Sequence, residues 1–341
     1  MEVIASSHSN TLVVVTDLSQ VGEARRLAKG FSEHLGFDEE QAGRVAIIVT
    51  EAATNLVAHA GGGELLISGQ SQPGGARAID VLAVDRGPGM RNAAVSMLDG
   101  HSTAGTAGNG LGAIKRLSDH FDLYSQPDAG TVVLARVAAT KRDSSPGSLE
   151  AAYVCVPKPG EQVSGDAVAL RISDHRGTFM IADGLGHGLG AADASSSASK
   201  MFFEHDGAPS ELLDLFHGAL RSTRGAAIAI ASIDPESSTV AYAGIGNIAG
   251  AILDGEHSRS LVSHNGIVGH QCHRIQQFQY PWPHSGVLVM NSDGLVTNWR
   301  LNQYPGLLAK APALIAAVLY RDFSRRRDDV SVLVVKERRN A

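Results

Sequence analysis

The stretch T-F-M-I-A-D-G-L-G-H-G occupies residues 178–188 of a chain of 341 residues. An apolar run typical of a β-strand leads directly into Asp183, and glycines follow the carboxylate. Three more motifs in this half of the chain place aspartate beside an apolar run: S-G-D at Ser164–Asp166, S-D-G at Ser292–Gly294 and D-D-V-S at Asp328–Ser331. One Asp-Gly pair is usually a turn, but carboxylates at several strand ends can gather the oxygen ligands that divalent cations prefer. The four motifs together predict a metal-dependent hydrolase site.

Strand patterns dominate the C-terminal half, and helical patterns lie between them. The β-type runs are spread over residues 151–335. Many strands with inserted helices favour a β-sandwich flanked by helices. If these strands converge at one end, the aspartates of the four motifs crowd a single site, which is unfavourable unless cations neutralise their charge.

The N-terminal half alternates helices and strands. Asp38 is placed to cap a helix that runs to about Ala60, where three consecutive glycines follow. A polar stretch with proline and glycine separates this half from the other. We therefore expect a mixed α/β (α+β) protein with domains at residues 1–138 and 150–341, joined by a linker at residues 139–149.

Composition excludes several classes of partner and location. The chain has 29 basic and 35 acidic residues, a net charge of −6, and no stripe of lysine and arginine, which argues against nucleic acid as a partner. Cys155 and Cys272 are far apart and lack metal-ligand spacing, so a reducing cytoplasm is the expected location. We find no signal peptide and no apolar run long enough to cross a bilayer.

Two segments of the N-terminal half carry polar groups suited to a nucleotide. Glu51 and Asn55 lie four residues apart in E-A-A-T-N-L-V-A-H, so they share one helical face. Asp85 ends a strand in V-D-R-G-P-G-M, where Gly87 and Gly89 follow it. A carboxylate there can accept a hydrogen bond from an exocyclic amine, and glycines let a flat ring approach the backbone. Each segment alone is weak evidence, since D-x-G-x-G is often only a turn.

A third segment is rich in glycine and leads into a helix. It reads S-T-A-G-T-A-G-N-G-L-G-A-I-K-R over residues 102–116. Glycines ahead of a helix N-terminus supply free N–H donors and a positive dipole end, both suited to phosphates. The segment matches neither the P-loop nor the Rossmann fingerprint. The three segments in this order are much more specific than any one of them.

Residues 10–138 resemble the GHKL ATPase superfamily, in its RsbT/RsbW-like branch of anti-sigma factors and switch serine kinases. The resemblance implies a Bergerat-type α/β sandwich that binds ATP with Mg²⁺. By motif, Asn55 would hold the Mg²⁺, Glu51 would be the base for the substrate hydroxyl, and Asp85 would read adenine. It also implies nucleotide contacts from a set of small residues: Gly87, Gly89, Gly105, Gly108, Gly110, Gly112 and Thr131.

Residues 150–337 resemble the PPM-type serine/threonine phosphatases, in the SpoIIE and RsbX branch. The resemblance implies an α-β-β-α sandwich with two Mn²⁺ or Mg²⁺ ions and a metal-activated water. By motif, Asp183 and the Gly184 carbonyl bind metal, and Asp183 and Asp293 are catalytic. Asp166, Asp293 and Asp328 complete the metal shell, with Asp328 preferred to Asp329. His187 is placed either to contact phosphate or to face solvent.

The two resemblances together imply a bifunctional regulator of a bacterial partner-switching pathway. It would phosphorylate and dephosphorylate serine or threonine in a STAS-domain protein, such as an anti-anti-sigma factor or a stressosome scaffold. The alternative is a phosphatase fused to a non-catalytic ATP-binding module that sequesters a sigma factor or another effector. A homodimer is compatible with either interpretation.

Overall fold

The computed structural model describes residues 10–71, 77–92, 110–139, 148–173, 175–255, 257–272 and 274–338. The chain forms two compact units. The N-terminal unit comprises Asn10–Asp143 and Ala309–Arg321, and the C-terminal unit comprises Ser144–Leu308 and Asp322–Ala341. Each unit is built from separate stretches of the chain. The predicted domains at residues 1–138 and 150–341 and the linker at residues 139–149 therefore stay a prediction.

Among the described residues of the first part of the chain, the N-terminal unit has a five-stranded antiparallel sheet and three helices. The sheet order is β1-β2-β3-β5-β4. The strands are β1 (Thr11–Val15), β2 (Gly63–Ser71), β3 (Arg77–Val84), β4 (His120–Gln126) and β5 (Gly130–Ala138). The helices are α1 (Val21–His34), α2 (Glu39–Ala60) and α3 (Gly110–Leu117).

Local chemistry sets the ends of α2, which positions the site of this unit. The Asp38 carboxylate accepts a hydrogen bond from the Gln41 N–H, and the Gln41 side chain accepts one from the Asp38 N–H. The helix ends at Gly61 with a positive φ of 70°, which glycine adopts without the strain that a side chain would cause. Buried residues such as Ile48, Val49 and Ala52 pack α2 against the sheet. The helix is thereby fixed in length and rotation.

The C-terminal unit is a sandwich of two five-stranded antiparallel sheets. One sheet has the order β13-β10-β9-β8-β7, and the other has the order β12-β11-β14-β15-β6. The first sheet contains β7 (Asp166–Ile172), β8 (Gly177–Gly184), β9 (Ala226–Asp234), β10 (Thr239–Ile245) and β13 (Phe278–Pro281). The second contains β6 (Leu149–Val156), β11 (Ala249–Asp254), β12 (His257–Ser260), β14 (Val287–Asn291) and β15 (Val330–Glu337).

Alternate residues of the strands build two separate cores. Val168 and Leu170 of β7 face the core between the sheets, whereas Ala169 packs under the helices α4 (Leu189–Glu204) and α5 (Pro209–Ala219). A further helix, α6 (Pro312–Phe323), lies mostly in the part of the chain assigned to the N-terminal unit and is almost fully buried. The mixed α/β fold with a PPM-type sandwich is therefore confirmed. No helix in the described part of the chain has the length and apolarity that a membrane span requires.

Candidate functional site

Glu51, Asn55 and Gly110 come together in the N-terminal unit. A methyl group added at Gly110 would lie 2.9 Å from Glu51 Oε2 and 3.1 Å from Asn55 Oδ1. The first residue of α3 therefore lies directly against the polar face of α2. Gly112, two residues further along the same helix, is buried. Gly105 and Gly108 lie outside the described residues, so their predicted contact with nucleotide stays a prediction.

Asp85 is held by backbone donors from two directions. Its Oδ1 accepts hydrogen bonds from Gly87 N at 2.8 Å and from Thr131 N at 3.1 Å. Asp85 N donates in turn to Thr131 O at 2.9 Å. Burial raises the pKa of the Asp85 carboxyl above its usual value. The two backbone donors lower this pKa, but by less than burial raises it. Both bonds use the same oxygen, and the predicted contact of Asp85 with adenine stays a prediction.

At two positions after Asp85, neighbouring atoms come so close to the backbone that only glycine fits. Gly89 has a φ of +64°, and a methyl group there would lie 1.9 Å from Gln126 O. A methyl group at Gly87 would lie 2.7 Å from Ala60 Cβ at the end of α2. The D-x-G-x-G segment is therefore packed against both α2 and β4. Its geometry brings Asp85 to the end of the helix that carries Asn55.

The acidic motifs of the C-terminal unit lie at strand ends drawn from both sheets. Asp166 begins β7 and is paired with Asp183 near the end of β8. Asp293 follows the end of β14, and Asp328 precedes the start of β15. Gly184 N donates to Gly165 O at 3.0 Å, which ties the two acidic loops of the first sheet together.

Two serines connect the second sheet to Asp166. Ser292 Oγ and Ser331 Oγ donate to Asp166 Oδ2 at 2.6 and 2.8 Å, and both serines have 0% of their surface exposed. Ser331 N also donates to Ser292 Oγ at 2.9 Å. Asp166 Oδ1 is buried and has no hydrogen-bond partner among the described residues. One oxygen is thus fixed by the protein, while the other is left for a ligand outside the chain.

Charge accumulates at this end of the sandwich. Burial raises the pKa of Asp166 to about 7. Burial and the carboxylates of Asp166, Asp293, Asp328 and Asp329 raise the pKa of Asp183 to about 9. Carboxylates resist ionisation in such a cluster until a cation neutralises them.

Asp328 and Asp329 occupy different environments. Asp329 is buried, and its Oδ1 accepts a hydrogen bond from Lys158 N at 2.9 Å. Asp328 is only half-buried, and its Oδ1 accepts from Asp329 N at 3.1 Å. Asp329 thus ties the start of β15 to the loop at Lys158. Asp329 Oδ2, like Asp166 Oδ1, is buried without a hydrogen-bond partner among the described residues, so the choice of Asp328 as the metal ligand rests on the motif and stays a prediction.

Two further polar pairs border the acidic site. Asn247 is the last residue of the segment G-I-G-N at Gly244–Asn247. Its Nδ2 donates to Asp293 Oδ2 at 2.7 Å and so orients that carboxylate. His187 Nδ1 lies 2.7 Å from Glu161 Oε1, and its side chain is half exposed. His187 therefore belongs to a surface pair on the loop that follows Asp183.

The donor set fits divalent cations. Within the described ranges no three His, Cys, Asp or Glu residues form a group that could enclose a metal ion. Mg²⁺ usually keeps several waters and takes only one or two carboxylates from the protein, so it does not need such a group. The unpartnered Asp166 Oδ1 and the clustered carboxylates provide oxygen donors of this kind. The predicted ligands are thus brought to one end of the sandwich.

Ser331→Ala tests whether the serine pair supports metal binding. We expect the variant to bind Mn²⁺ about tenfold or more weakly in an electron paramagnetic resonance titration, since removing a partner of a ligand typically costs 10- to 100-fold in affinity. The matched control is Ser195→Ala, because Ser195 is equally buried but bonds only to Ala192 O in α4. An unchanged Mn²⁺ affinity in Ser331→Ala would show that Asp166 needs no such support.

Both halves of the chain match known families. Residues 14–137 match the histidine kinase-like ATPase domain, and residues 173–338 match stage II sporulation protein E (SpoIIE). The chain is 36% identical over 112 residues to the serine/threonine-protein kinase RsbT of Bacillus subtilis (strain 168), which covers 33% of this chain and 84% of that kinase. The chain belongs to the RsbT family. Its RsbT-like domain is fused to a SpoIIE-like domain, as the two resemblances predicted.

Solved structures are similar to the chain as well. A chain from a structure of the bacterial stressosome, described as a modular system adapted to control secondary messenger signalling, is 26% identical with a TM-score of 0.51, covering 55% of this chain and 99% of that chain. The phosphatase domain of SpoIIE from Bacillus subtilis, with a fragment of its regulatory domain, is 17% identical with a TM-score of 0.47, covering 77% of this chain and 79% of that chain. With RsbT, the two family matches show a switch-kinase-like domain joined to a SpoIIE-type phosphatase domain.

Several functional residues were not predicted from the sequence. Ser292 and Ser331 were quoted inside their motifs, but only the adjacent aspartates were given roles. The signal was present, because each serine lies within three residues of a predicted ligand in S-D-G and D-D-V-S. The partner of His187, by contrast, lies 26 residues away, and spacing alone could not identify Glu161.

Proposed function

We propose that the chain controls the phosphorylation state of a STAS-domain protein in the cytoplasm, with one domain that adds phosphate and one that removes it. The observation that carries the proposal is that each domain brings its motif residues together. Glu51 and Asn55 meet Gly110 in the RsbT-like domain, and the acidic motifs meet in the SpoIIE-like domain. With both activities in one chain, the fraction of phosphorylated STAS-domain protein reaches a steady level between none and all.

In the RsbT-like domain, Glu51 is proposed to accept the proton of a serine or threonine hydroxyl as that oxygen attacks the γ-phosphate of ATP. A positioned carboxylate is the usual base in phosphoryl transfer. Asn55 lies one helical turn away and supplies an amide oxygen for Mg²⁺. Asp85 accepts a hydrogen bond from the adenine amine through the oxygen that Gly87 and Thr131 do not use.

In the SpoIIE-like domain, Asp166, Asp183, Asp293, Asp328 and the Gly184 carbonyl are proposed to hold two Mn²⁺ or Mg²⁺ ions. Such ions supply a nucleophilic water at neutral pH and neutralise phosphate charge. The chain itself orients the ligands: Ser292 and Ser331 fix Asp166, and Asn247 fixes Asp293. The negative cluster also keeps the site closed to phosphate until cations are bound.

The experiment uses purified full-length protein, radiolabelled ATP and a purified STAS-domain candidate. We expect label to appear on a serine or threonine of the candidate, and to be released as inorganic phosphate when Mn²⁺ is added. ATP binding without label transfer, together with tight binding of a sigma factor, would instead support a sequestering module. The absence of both transfer and Mn²⁺-dependent release would contradict the proposal.

A further inference from the structure

Arg224 lies beside the loop that follows Asp183. It precedes β9 by two residues, and Ala226 of that strand is paired with Gly184 of β8. Leu185 N donates to Gly225 O at 3.0 Å, which continues the pairing into the loop. The backbone register therefore places Arg224 next to the segment Leu185–Gly190, directly after a predicted metal ligand.

The side chain of Arg224 lies over two glycines of this loop. A methyl group added at Gly190 would lie 2.6 Å from both Cζ and Nε of Arg224, and one at Gly186 would lie 3.3 Å from Nη1. A side chain at position 190 would therefore displace the end of the flexible Arg224 side chain from this position. The glycines of the loop thus create the space that the guanidinium fills.

The guanidinium keeps its hydrogen-bonding capacity. Arg224 is exposed, and within the described ranges no carboxylate forms an ion pair with it. Arginine and carboxylate side chains form strong bidentate pairs where they meet. Arg224 is instead held against the loop by packing, with its N–H donors available. The planar fork of a guanidinium matches two oxygens of a phosphate.

We propose that Arg224 binds the phosphate of the phosphoserine or phosphothreonine substrate at the SpoIIE-like site, an inference that rests on the proposed phosphatase activity. Arg224 donates two hydrogen bonds to non-bridging oxygens and holds the phosphate beside the acidic cluster. It forms and breaks no covalent bond. Its role is to offset the repulsion between the anionic substrate and the carboxylates, so its loss weakens binding of any phosphate monoester.

The test compares Arg224→Ala and Arg224→Gln with the matched control Arg221→Ala. Arg221 is exposed and lies three residues earlier, in the turn Leu220–Ser222. In Mn²⁺-loaded protein we expect the Arg224 variants to raise KM for a phosphoserine peptide and Ki for inorganic phosphate by about tenfold, the effect of losing a charged hydrogen bond of ~1.4 kcal/mol. Mn²⁺ affinity measured by paramagnetic resonance should stay unchanged. Arg224→Lys should restore only part of the loss, since lysine lacks the fork.

A second pair of variants moves the guanidinium without removing it. Gly190→Ala should displace Arg224 and raise KM and Ki in the same way, whereas Gly218→Ala in α5, where an added methyl group meets nothing within 4 Å, should not.

The rise in KM should be equal for the peptide and for para-nitrophenyl phosphate, because both carry the phosphate. A rise for the peptide alone would show that Arg224 docks the protein and would overturn the proposal. So would KM and Ki within about twofold of wild type, or an equal effect of Arg221→Ala. A wild-type protein that hydrolyses no phosphoserine peptide would instead refute the phosphatase assignment itself.

Discussion

Asp183→Asn is expected to abolish Mn²⁺-dependent hydrolysis of phosphoserine, with activity reduced by about a thousandfold or more, because the site loses a ligand and its metal-activated water. Burial and the neighbouring carboxylates of Asp166, Asp293, Asp328 and Asp329 raise the pKa of Asp183 to about 9. Asn keeps the shape of the side chain while removing the charge. Hydrolysis of a phosphoserine peptide is the measurement, and retained activity would refute the metal assignment.

The same substitution should make the metal-free protein more stable. Burial and neighbouring carboxylates raise the pKa of Asp183 from 3.8 to about 9, so the folded state favours the protonated acid, and stability falls as pH rises between those values. At pH 8 the folded protein must hold this proton at a cost in free energy, and Asn, which has no charge to neutralise, removes that cost. We expect Tm of the metal-free variant to rise by about 3 °C or more, the shift that ~1 kcal/mol produces in a domain of this size.

Mn²⁺ provides the control for this stability effect. It should raise Tm of the wild-type protein strongly, because it binds only the folded site, and should raise Tm of Asp183→Asn much less. The gain of the metal-free variant should disappear below pH 4, where the Asp183 carboxyl is protonated in the unfolded chain as well as in the folded one. If metal-free Asp183→Asn melts below wild type at pH 8, the carboxylates are not in mutual repulsion and the cluster is wrongly assigned.

Glu51→Gln has the second large expected effect, on phosphoryl transfer. Loss of a general base costs about 10²- to 10⁴-fold, so label transfer from ATP should fall by that factor. Binding of a fluorescent ATP analogue should persist, because Asp85 and Thr131 are unchanged. The matched control is Glu40→Gln, an exposed acid in the first turn of the same helix. Transfer that survives Glu51→Gln would show that another group accepts the proton.

The architecture was largely predictable because its local signals agree with one another. Asp38 and Gly61 bound α2 as expected, and the strands that carry the acidic motifs were found within about two residues of their ends. β12 and β13 were missed, since His257–Ser260 is fully exposed and Phe278–Pro281 ends in proline. The first segment has no apolar residue, and the second alternates Phe278 and Tyr280 with exposed residues over only four positions, which is too short for a strand prediction.

The candidate site was predictable only for residues that the motifs contain. The four motif aspartates lie at strand ends, and strands that share one sandwich bring those ends together. The partners of these residues come from elsewhere: Asn247 meets Asp293 over 46 positions of sequence, and Ser331 meets Asp166 over 165. Such pairings follow from sheet register, which no spacing in a single sequence specifies.

The most direct test of a chain with two opposing activities is the steady-state phosphorylation of one STAS-domain protein in the presence of ATP, Mg²⁺ and Mn²⁺. With wild-type protein we predict an intermediate level. Asp293→Ala should drive that level towards completion, and Glu51→Gln should drive it to zero and remove label from substrate phosphorylated beforehand. A level that is the same with Asp293→Ala as with wild type would contradict the account, because the two domains would then act on different proteins.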